Sequence, residues 1–299
     1  ETGIDVQIWA ARSIAKAFDK LSLDYSTTEK TGAPSFTKNF LSNHQHPMVK
    51  NIAKAREINK AHTTFIDTIL KHQHKGRIHA DINPIRSDQG GTVTGRFSYS
   101  NPNLQQIPAR NKELGPMIRS LFIPEKDHKW GCFDYSQQEP RLVVHYAATT
   151  EPICFDNSVG NIVDKFKDNS VDFHQTVADM ANISRTQAKT INLGLFYGMG
   201  KAKLQAELGL NTKQEAEDLF NQYHQNVPFV RDLMNYTSKT AQTSGSIGTL
   251  LGRRCRFNKW EPNQFGMHKA MDFEEAERTY GRGRIRRAFT YKALNRLIQ

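Results

Sequence analysis

The sequence predicts an α+β protein on three observations. Apolar residues recur at helical spacing over much of the chain, short extended runs broken by Gly and Pro lie between Gly76 and Pro108, and Gly245 to Arg256 carries a turn-and-hairpin pattern. Apolar residues make up 37% and aromatic residues 10% of the 299, with charges of both signs distributed, so the chain can bury enough surface to fold. The length suits one large or two modest domains.

Taken in order, Ile14 to Leu23 and Met48 to His72 read as helices, the second on Ile52, Ala55 and Ile58 and then Phe65, Ile66 and Ile69. Thr31 to Ser35 is a loop by its Gly and Pro content. Arg77 to Ala80 can extend, Gly90-Gly91 breaks the run, and Asn101-Pro102-Asn103 is a tight turn. Lys129 to Asp134 is an apolar extended run, expected as a buried strand ending in a carboxylate. Ser136 followed three residues later by Glu139 has the capping-box spacing of a helix start. A second such box, Ser184 and Gln187, opens a helix reaching about Tyr197. Helices continue to Gln242, and a final basic helix is expected to run to the end.

No apolar run approaches the roughly 18 to 20 residues of a membrane span. The N-terminus has no secretory-signal pattern, so a cytoplasmic location is expected. Cys132, Cys154 and Cys255 are widely separated and suggest neither zinc site nor disulfide framework. His44 and His46, and His72 and His74, sit two apart with no thiol or carboxylate at ligand spacing, and read as solvated. Lys and Arg number 41 against 30 Asp and Glu, a net charge of +11 that fits a polyanionic partner. Arg278 to Gln299 contains seven basic residues and no acidic one, with Tyr280, Phe289 and Tyr291 interleaved, as on nucleic-acid surfaces or on a solvated helix face.

Arg185, Lys189, Leu193 and Tyr197 are spaced four apart, so one helix face runs from cationic to aromatic. With free N–H groups at the helix start, such a face suits a triphosphate and a base. Gly194 and Gly198 oppose an ordinary amphipathic helix, each costing about 1 kcal/mol relative to Ala. Something must approach the backbone there, or the helix must bend. Asp134, if buried, needs a cation, and Mg2+ with its preference for carboxylate and phosphate oxygens is the candidate; a helix cap or buried ion pair is the plainer reading.

The segment Asp134 to Arg141 resembles the first polymerase motif of family A DNA polymerases, the group of bacterial DNA polymerase I and many phage replicases. Arg185 to Gly198 resembles the second motif. Thr94 to Ser98 with Asn101 to Pro108 is similar to the family segment that tracks primer and template, and Gly252 to Arg254 and Asn295 to Gln299 also match. The likeness spans essentially the whole chain in the family's order, and a fragment of a bacteriophage replicative polymerase, working in the bacterial host's cytoplasm, is expected.

The resemblance implies a right-hand architecture, with a partial thumb over 1–75, the first part of a palm with the Asp134 strand in an antiparallel sheet over 76–150, helical fingers over 151–242 and a fingers-to-palm return over 243–299. It implies template-directed transfer of deoxynucleotides from dNTPs to a primer 3′-hydroxyl by a two-metal mechanism. Asp134, assisted by the Tyr135 carbonyl, would bind two Mg2+ ions. His174 and Arg185 would hold outer phosphates, and Lys189 would lie on the inner phosphate and donate a proton to pyrophosphate. Leu193 and Gln137 would line the nucleotide site, Tyr197 would take the template-stacking place, and Glu139 would reject a ribose 2′-hydroxyl. Arg96, Asn101, Asn103, Gln105, Arg141, Asn295 and Gln299 would contact primer-template DNA.

Leu193 departs from the Phe or Tyr of many relatives and is expected to alter sugar selection. Pro140 replaces an aliphatic residue within the first helical turn, where a missing N–H is tolerated, and Thr186 stands where some relatives carry a basic residue. The family's second metal-binding Asp, in a His-Asp-Glu turn, would fall after Gln299, and Asp272, Glu274 and Glu275 are not expected to replace it. A chain starting at Glu1 and ending at Gln299 is therefore expected to be truncated at both ends and inactive alone. A partial reading, an expression fragment and one half of a split gene with a complementing C-terminal partner all remain open. A single-subunit RNA polymerase and a non-catalytic DNA-binding subunit are the alternative functions.

Overall fold

The computed structural model describes residues 3–28, 31–88, 90–109, 111–168, 171–264, 266 and 268–299. The chain divides into two compact units, the first comprising residues 1–92 and 97–130 and the second 93–96 and 131–299.

The first unit is built on α1 (Ala11–Lys20), which buries Ile14, Ala15, Ala17 and Phe18 on one face. Phe18 anchors an aromatic cluster, with the Phe36 ring at 4.9 Å and the Tyr25 ring at 5.9 Å. Strands β1 (Ser26–Thr27) and β2 (Pro34–Ser35) pair antiparallel, so the last two residues of the loop expected at Thr31 to Ser35 are strand instead. Helix α2 (Lys38–Asn43) packs on α3 (Pro47–Ala61). The single helix expected over Met48 to His72 is interrupted by a π-helical turn, His62–Ile66, before α4 (Asp67–His72). At that turn the Thr63 hydroxyl donates to the Asn59 carbonyl at 3.0 Å. Two short antiparallel pairs follow, β3 (Gln73–His74) with β4 (Arg77–Ile78) and β5 (Asp81–Asn83) with β6 (Ser98–Ser100). Helix α5 (Leu114–Arg119) completes the unit. Three of the histidines expected to be solvated hold backbone instead. The His44 and His46 Nδ1 atoms accept from His46 N and Met48 N, and His72 Nδ1 bonds the Thr68 carbonyl.

The second unit is helical: α6 (Gln138–Thr149), α7 (Asn157–Lys167), α8 (Phe173–Ala181), α9 (Arg185–Phe196), α10 (Lys201–Leu208), α11 (Lys213–Asn226) and α12 (Pro228–Ser244). Its core joins Val143 and Ala147 of α6, Phe173 and Val177 of α8, Ile191 and Leu195 of α9, and Phe229 and Leu233 of α12. The hairpin expected from Gly245 to Arg256 is present as β7 (Ser246–Gly248) and β8 (Arg254–Arg256).

The final basic helix is replaced by mixed structure. Strand β9 (Trp260–Pro262), helix α13 (Phe273–Tyr280), strand β10 (Ile285–Arg287) and helix α14 (Ala293–Ile298) follow in turn, with Arg286 opposite Glu261 in the β9–β10 register. Gly281 and Gly283 at positive φ end α13, and pairing with β9 holds 285–287 extended. Several of its cations have partners within the unit. Arg286 bonds Glu261, while Arg287 donates to the Phe257 carbonyl and stacks on Trp260.

The buried strand expected over Lys129 to Asp134 is also corrected. The segment has no ladder partner among the described residues, and Trp130, Phe133 and Tyr135 are 70%, 96% and 82% exposed. An extended run without a neighbouring strand has no hydrogen-bonding partner to define it as sheet. Asp134 is exposed, so the desolvation cost expected of its carboxylate does not arise.

Candidate nucleotide and nucleic-acid site

Helix α9 begins with the predicted reciprocal capping box. Ser184 Oγ accepts from Gln187 N at 3.2 Å, and Gln187 Oε1 accepts from Ser184 N at 2.9 Å. The helix buries Ala188, Ile191, Asn192, Leu195 and Phe196. Arg185, Lys189 and Tyr197 are exposed and Leu193 is half-buried, so the four lie on the outward face. Both glycines have close neighbours. A Cβ on Gly194 would run into the Met199 side chain, where the chain folds back to donate Met199 N to the Gly194 carbonyl. Gly198 has φ +73°, and a Cβ there would meet Tyr291 at 2.9 Å.

Asp172 caps α8, accepting from His174 N at 2.9 Å and Gln175 N at 3.2 Å, and its other oxygen receives Arg185 at 2.5 and 2.9 Å. Partial burial works to raise this carboxyl, but Arg185 and the two amides outweigh it and hold it below the ordinary carboxylate range. Arg185 and His174 are thereby drawn to one end of α9. Burial lowers the half-buried His174 imidazole; Asp172 opposes this, and Lys189 and Arg185 reinforce it. Lys189 carries no ion pair among the described residues.

At the far end, Glu139 Oε1 receives Arg96 Nη2 at 2.7 Å and the Tyr197 hydroxyl at 2.9 Å, and Gln299 Nε2 lies 3.2 Å from that hydroxyl. The structure thus joins Arg96, Glu139, Tyr197 and Gln299, which are up to 203 residues apart by their numbers. Asn295 is buried, and its Nδ2 has no hydrogen-bond partner among the described residues. Within the first unit, Asn101 donates to Asp81 and Gln105 to the Phe97 carbonyl, both at 2.9 Å, while Asn103 caps a short 3-10 turn.

The expected capping box at Ser136 is absent, although the helix is present. Gln137 at φ 56° is the residue before α6 and makes no side-chain cap, and the Glu139 carboxylate turns to Arg96 and Tyr197. The Gln137 amide donates to the Val171 carbonyl at 2.8 Å and accepts from Phe173 N at 2.6 Å, tying the start of α8 to the start of α6. Arg141 donates to the Ser136 and Phe166 carbonyls and stacks on Phe166. Both side chains are therefore engaged with backbone.

Asp134 and the Tyr135 carbonyl could offer oxygens to Mg2+. Among the described residues, however, no three His, Cys, Asp or Glu side chains are grouped to hold a metal ion. The donor set does not by itself fit a resident cation.

Two residues escaped the sequence reading as participants. Asn192 is fully buried and bridges His174 and Tyr223, with Nδ2 3.2 Å from His174 Nδ1 and Oδ1 accepting the Tyr223 hydroxyl at 2.5 Å. The available signal was a polar residue on the apolar stripe of α9, between Ile191 and Leu195. Tyr223 gave no such signal, since a buried aromatic in an amphipathic helix is ordinary core.

Residues 6–299 match the model of DNA polymerase family A, and the chain belongs to that family. It is 32% identical to a DNA-directed DNA polymerase of Pseudomonas phage M6, with 98% of this chain and 47% of the phage protein covered. It is 35% identical to the thermostable DNA polymerase I of Thermus filiformis over 79% of this chain and 28% of that enzyme. Among solved structures it resembles the POL domain of Pol1 from M. smegmatis in complex with DNA primer-template and dNTP. There the TM-score is 0.71 at 25% identity, covering 99% of this chain and 48% of that one. The chain thus spans less than half the length of these relatives. No helix among the described residues is long and apolar enough to cross a membrane.

Proposed function

We propose that this chain forms the nucleotide-binding and much of the primer-template-binding part of an enzyme that synthesises DNA on a template. The observation that carries the reading is the outward face of α9, with Arg185 held beside His174 at one end and Tyr197 held to Glu139 at the other. Arg185 and His174 bind the outer phosphates of a dNTP, and Lys189 reaches the inner one, where it supplies positive charge and a proton for the leaving pyrophosphate. Leu193 lies along the sugar. Glu139, held by Arg96 and Tyr197, fills the space of a ribose 2′-hydroxyl, and Tyr197 offers its ring to the template base. Gln137 acts on the nucleotide through the start of α8. Arg96, Asn295 and Gln299, with Arg141 and, in the first unit, Asn101, Asn103 and Gln105, serve the duplex, and the orphaned Asn295 amide has a donor to give.

The thumb, palm and fingers assignments of 1–75, 76–150, 151–242 and 243–299 belong to the same proposal, as does a bacteriophage replicative role in the host cytoplasm. Divalent Mg2+ would supply Lewis-acid chemistry at Asp134 and Tyr135, but these residues do not complete the site, and the 299-residue chain is inactive alone. A complementing segment bearing a second carboxylate would be the missing partner.

Calorimetric titration of dATP with Mg2+ tests the nucleotide reading. Wild-type chain binds, and Arg185→Ala loses about tenfold or more; equal affinities would refute it. Primer extension tests the rest: template-directed incorporation by the 299-residue chain would overturn the proposed dependence on a complementing segment.

A further inference from the structure

Helices α8, α9 and α11 are linked by one chain of side chains, His174, Asn192 and Tyr223, whose inner two members are fully buried. The direction of these bonds follows from the donor inventory. A buried Tyr hydroxyl needs an acceptor for its hydrogen. Asn192 Oδ1 is the acceptor found for Tyr223, so the amide oxygen must face α11. The same orientation turns Nδ2 toward His174 Nδ1, 3.2 Å away. An amide N–H can meet only an unprotonated ring nitrogen, so the proton of a neutral imidazole is placed on Nε2. Were the amide reversed, the Tyr223 hydrogen would be buried without this acceptor.

We propose that Asn192 and Tyr223 are positioning residues that lock His174 as a neutral imidazole carrying its proton on Nε2, fixing it as a hydrogen-bond donor to a phosphate oxygen. The phosphate half of this statement rests on the proposed nucleotide site; the tautomer half does not. The charged groups around the ring are Asp172, which favours the imidazolium, and Arg185 and Lys189, which oppose it. Burial acts with the two cations, and the net direction keeps the ring neutral near pH 7. A neutral donor binds an anion without adding a third cation beside Arg185 and Lys189. Its hydrogen bond is directional, so its value depends on the ring being held in one tautomer and orientation.

The test is long-range 1H–15N NMR of the 15N-histidine-labelled 299-residue chain at pH 7, with dATP affinity in Mg2+ measured alongside. Wild-type His174 should show the neutral, Nε2-protonated pattern; an Nδ1-protonated or cationic ring in the wild type overturns the proposal without recourse to any variant. Tyr223→Phe keeps the ring in the core but removes the hydroxyl, and should give a mixture of tautomers. Asn192→Asp, whose carboxylate attracts an N–H, should move the proton to Nδ1. Each should weaken dATP binding by about tenfold, the worth of one oriented hydrogen bond. Folded variants with an unchanged His174 spectrum would refute the relay. Wild-type chain that binds no dATP would remove the nucleotide reading, while its His174 spectrum would still decide the tautomer.

Discussion

The Tyr197 hydroxyl, just past the end of α9, donates to the Glu139 Oε1 atom that also receives Arg96, so one carboxylate oxygen joins three distant segments of the chain. The Glu139 side chain is only 15% exposed, whereas that of Arg96 is 53% exposed. The carboxylate is therefore the sheltered member and the cation the one facing solvent. Tyr197→Phe should cost about 1 kcal/mol in urea denaturation, as one hydrogen bond is lost. Glu139→Ala should cost more, because both donors lose their acceptor. A smaller loss in Glu139→Ala than in Tyr197→Phe would show that the carboxylate is not the organising group.

The Ser184–Gln187 box sets the start of the helix that presents Arg185. Ser184→Ala should destabilise the protein by about 0.5 to 2 kcal/mol. Gln187→Ala should add less than its own single effect in the double variant, since the two bonds are reciprocal. Chemical denaturation of the two single variants and the double variant checks this; strict additivity would contradict the box.

His224 on α11 is buried, with its Nδ1 atom lacking a hydrogen-bond partner among the described residues and the Phe220 ring centroid 4.4 Å away. Burial, aided by Arg231, lowers its pKa from 6.5 to about 4. The folded value lies below the unfolded one, so its contribution is fully present above pH 6.5 and is lost as pH falls toward 4. The total loss should be about 1 to 3 kcal/mol at roughly 1.4 kcal/mol per unit, discounted for partial relaxation. His224→Phe should flatten the wild-type stability profile between pH 6.5 and 5. Parallel profiles for the two proteins would exclude His224 as the source.

Two glycines should respond to Ala with opposite signs. Gly198 has φ +73° and the Tyr291 ring in the way of a Cβ, so Gly198→Ala should destabilise by about 1 to 2 kcal/mol. Gly160 lies within α7 with open space around it, and Gly160→Ala should stabilise by about 0.5 to 1 kcal/mol. Thermal denaturation of both variants provides the check.

Local patterns carried much of this molecule. The four-residue spacing of Arg185, Lys189, Leu193 and Tyr197 sufficed to place them along one face, because helical pitch alone determines which side chains align. Ser184 and Gln187 marked the start of α9 for the same reason: a cap is a relation between residues three apart. The motifs from Asp134 to Arg141 and Arg185 to Gly198 pointed to the family before any contact was known. Tertiary structure decided what depends on partners distant in the chain. It left 129–134 without a pairing strand among the described residues, turned Glu139 from its own helix end to Arg96 and Tyr197, and engaged Gln137 and Arg141 with backbone. It also broke the basic C-terminal stretch into a strand paired with β9. Above all it set Asn192 between His174 and Tyr223, where a single buried hydroxyl orients an amide and the amide orients a ring. No spacing rule reaches across those helices; only their packing brings the three groups within hydrogen-bond distance.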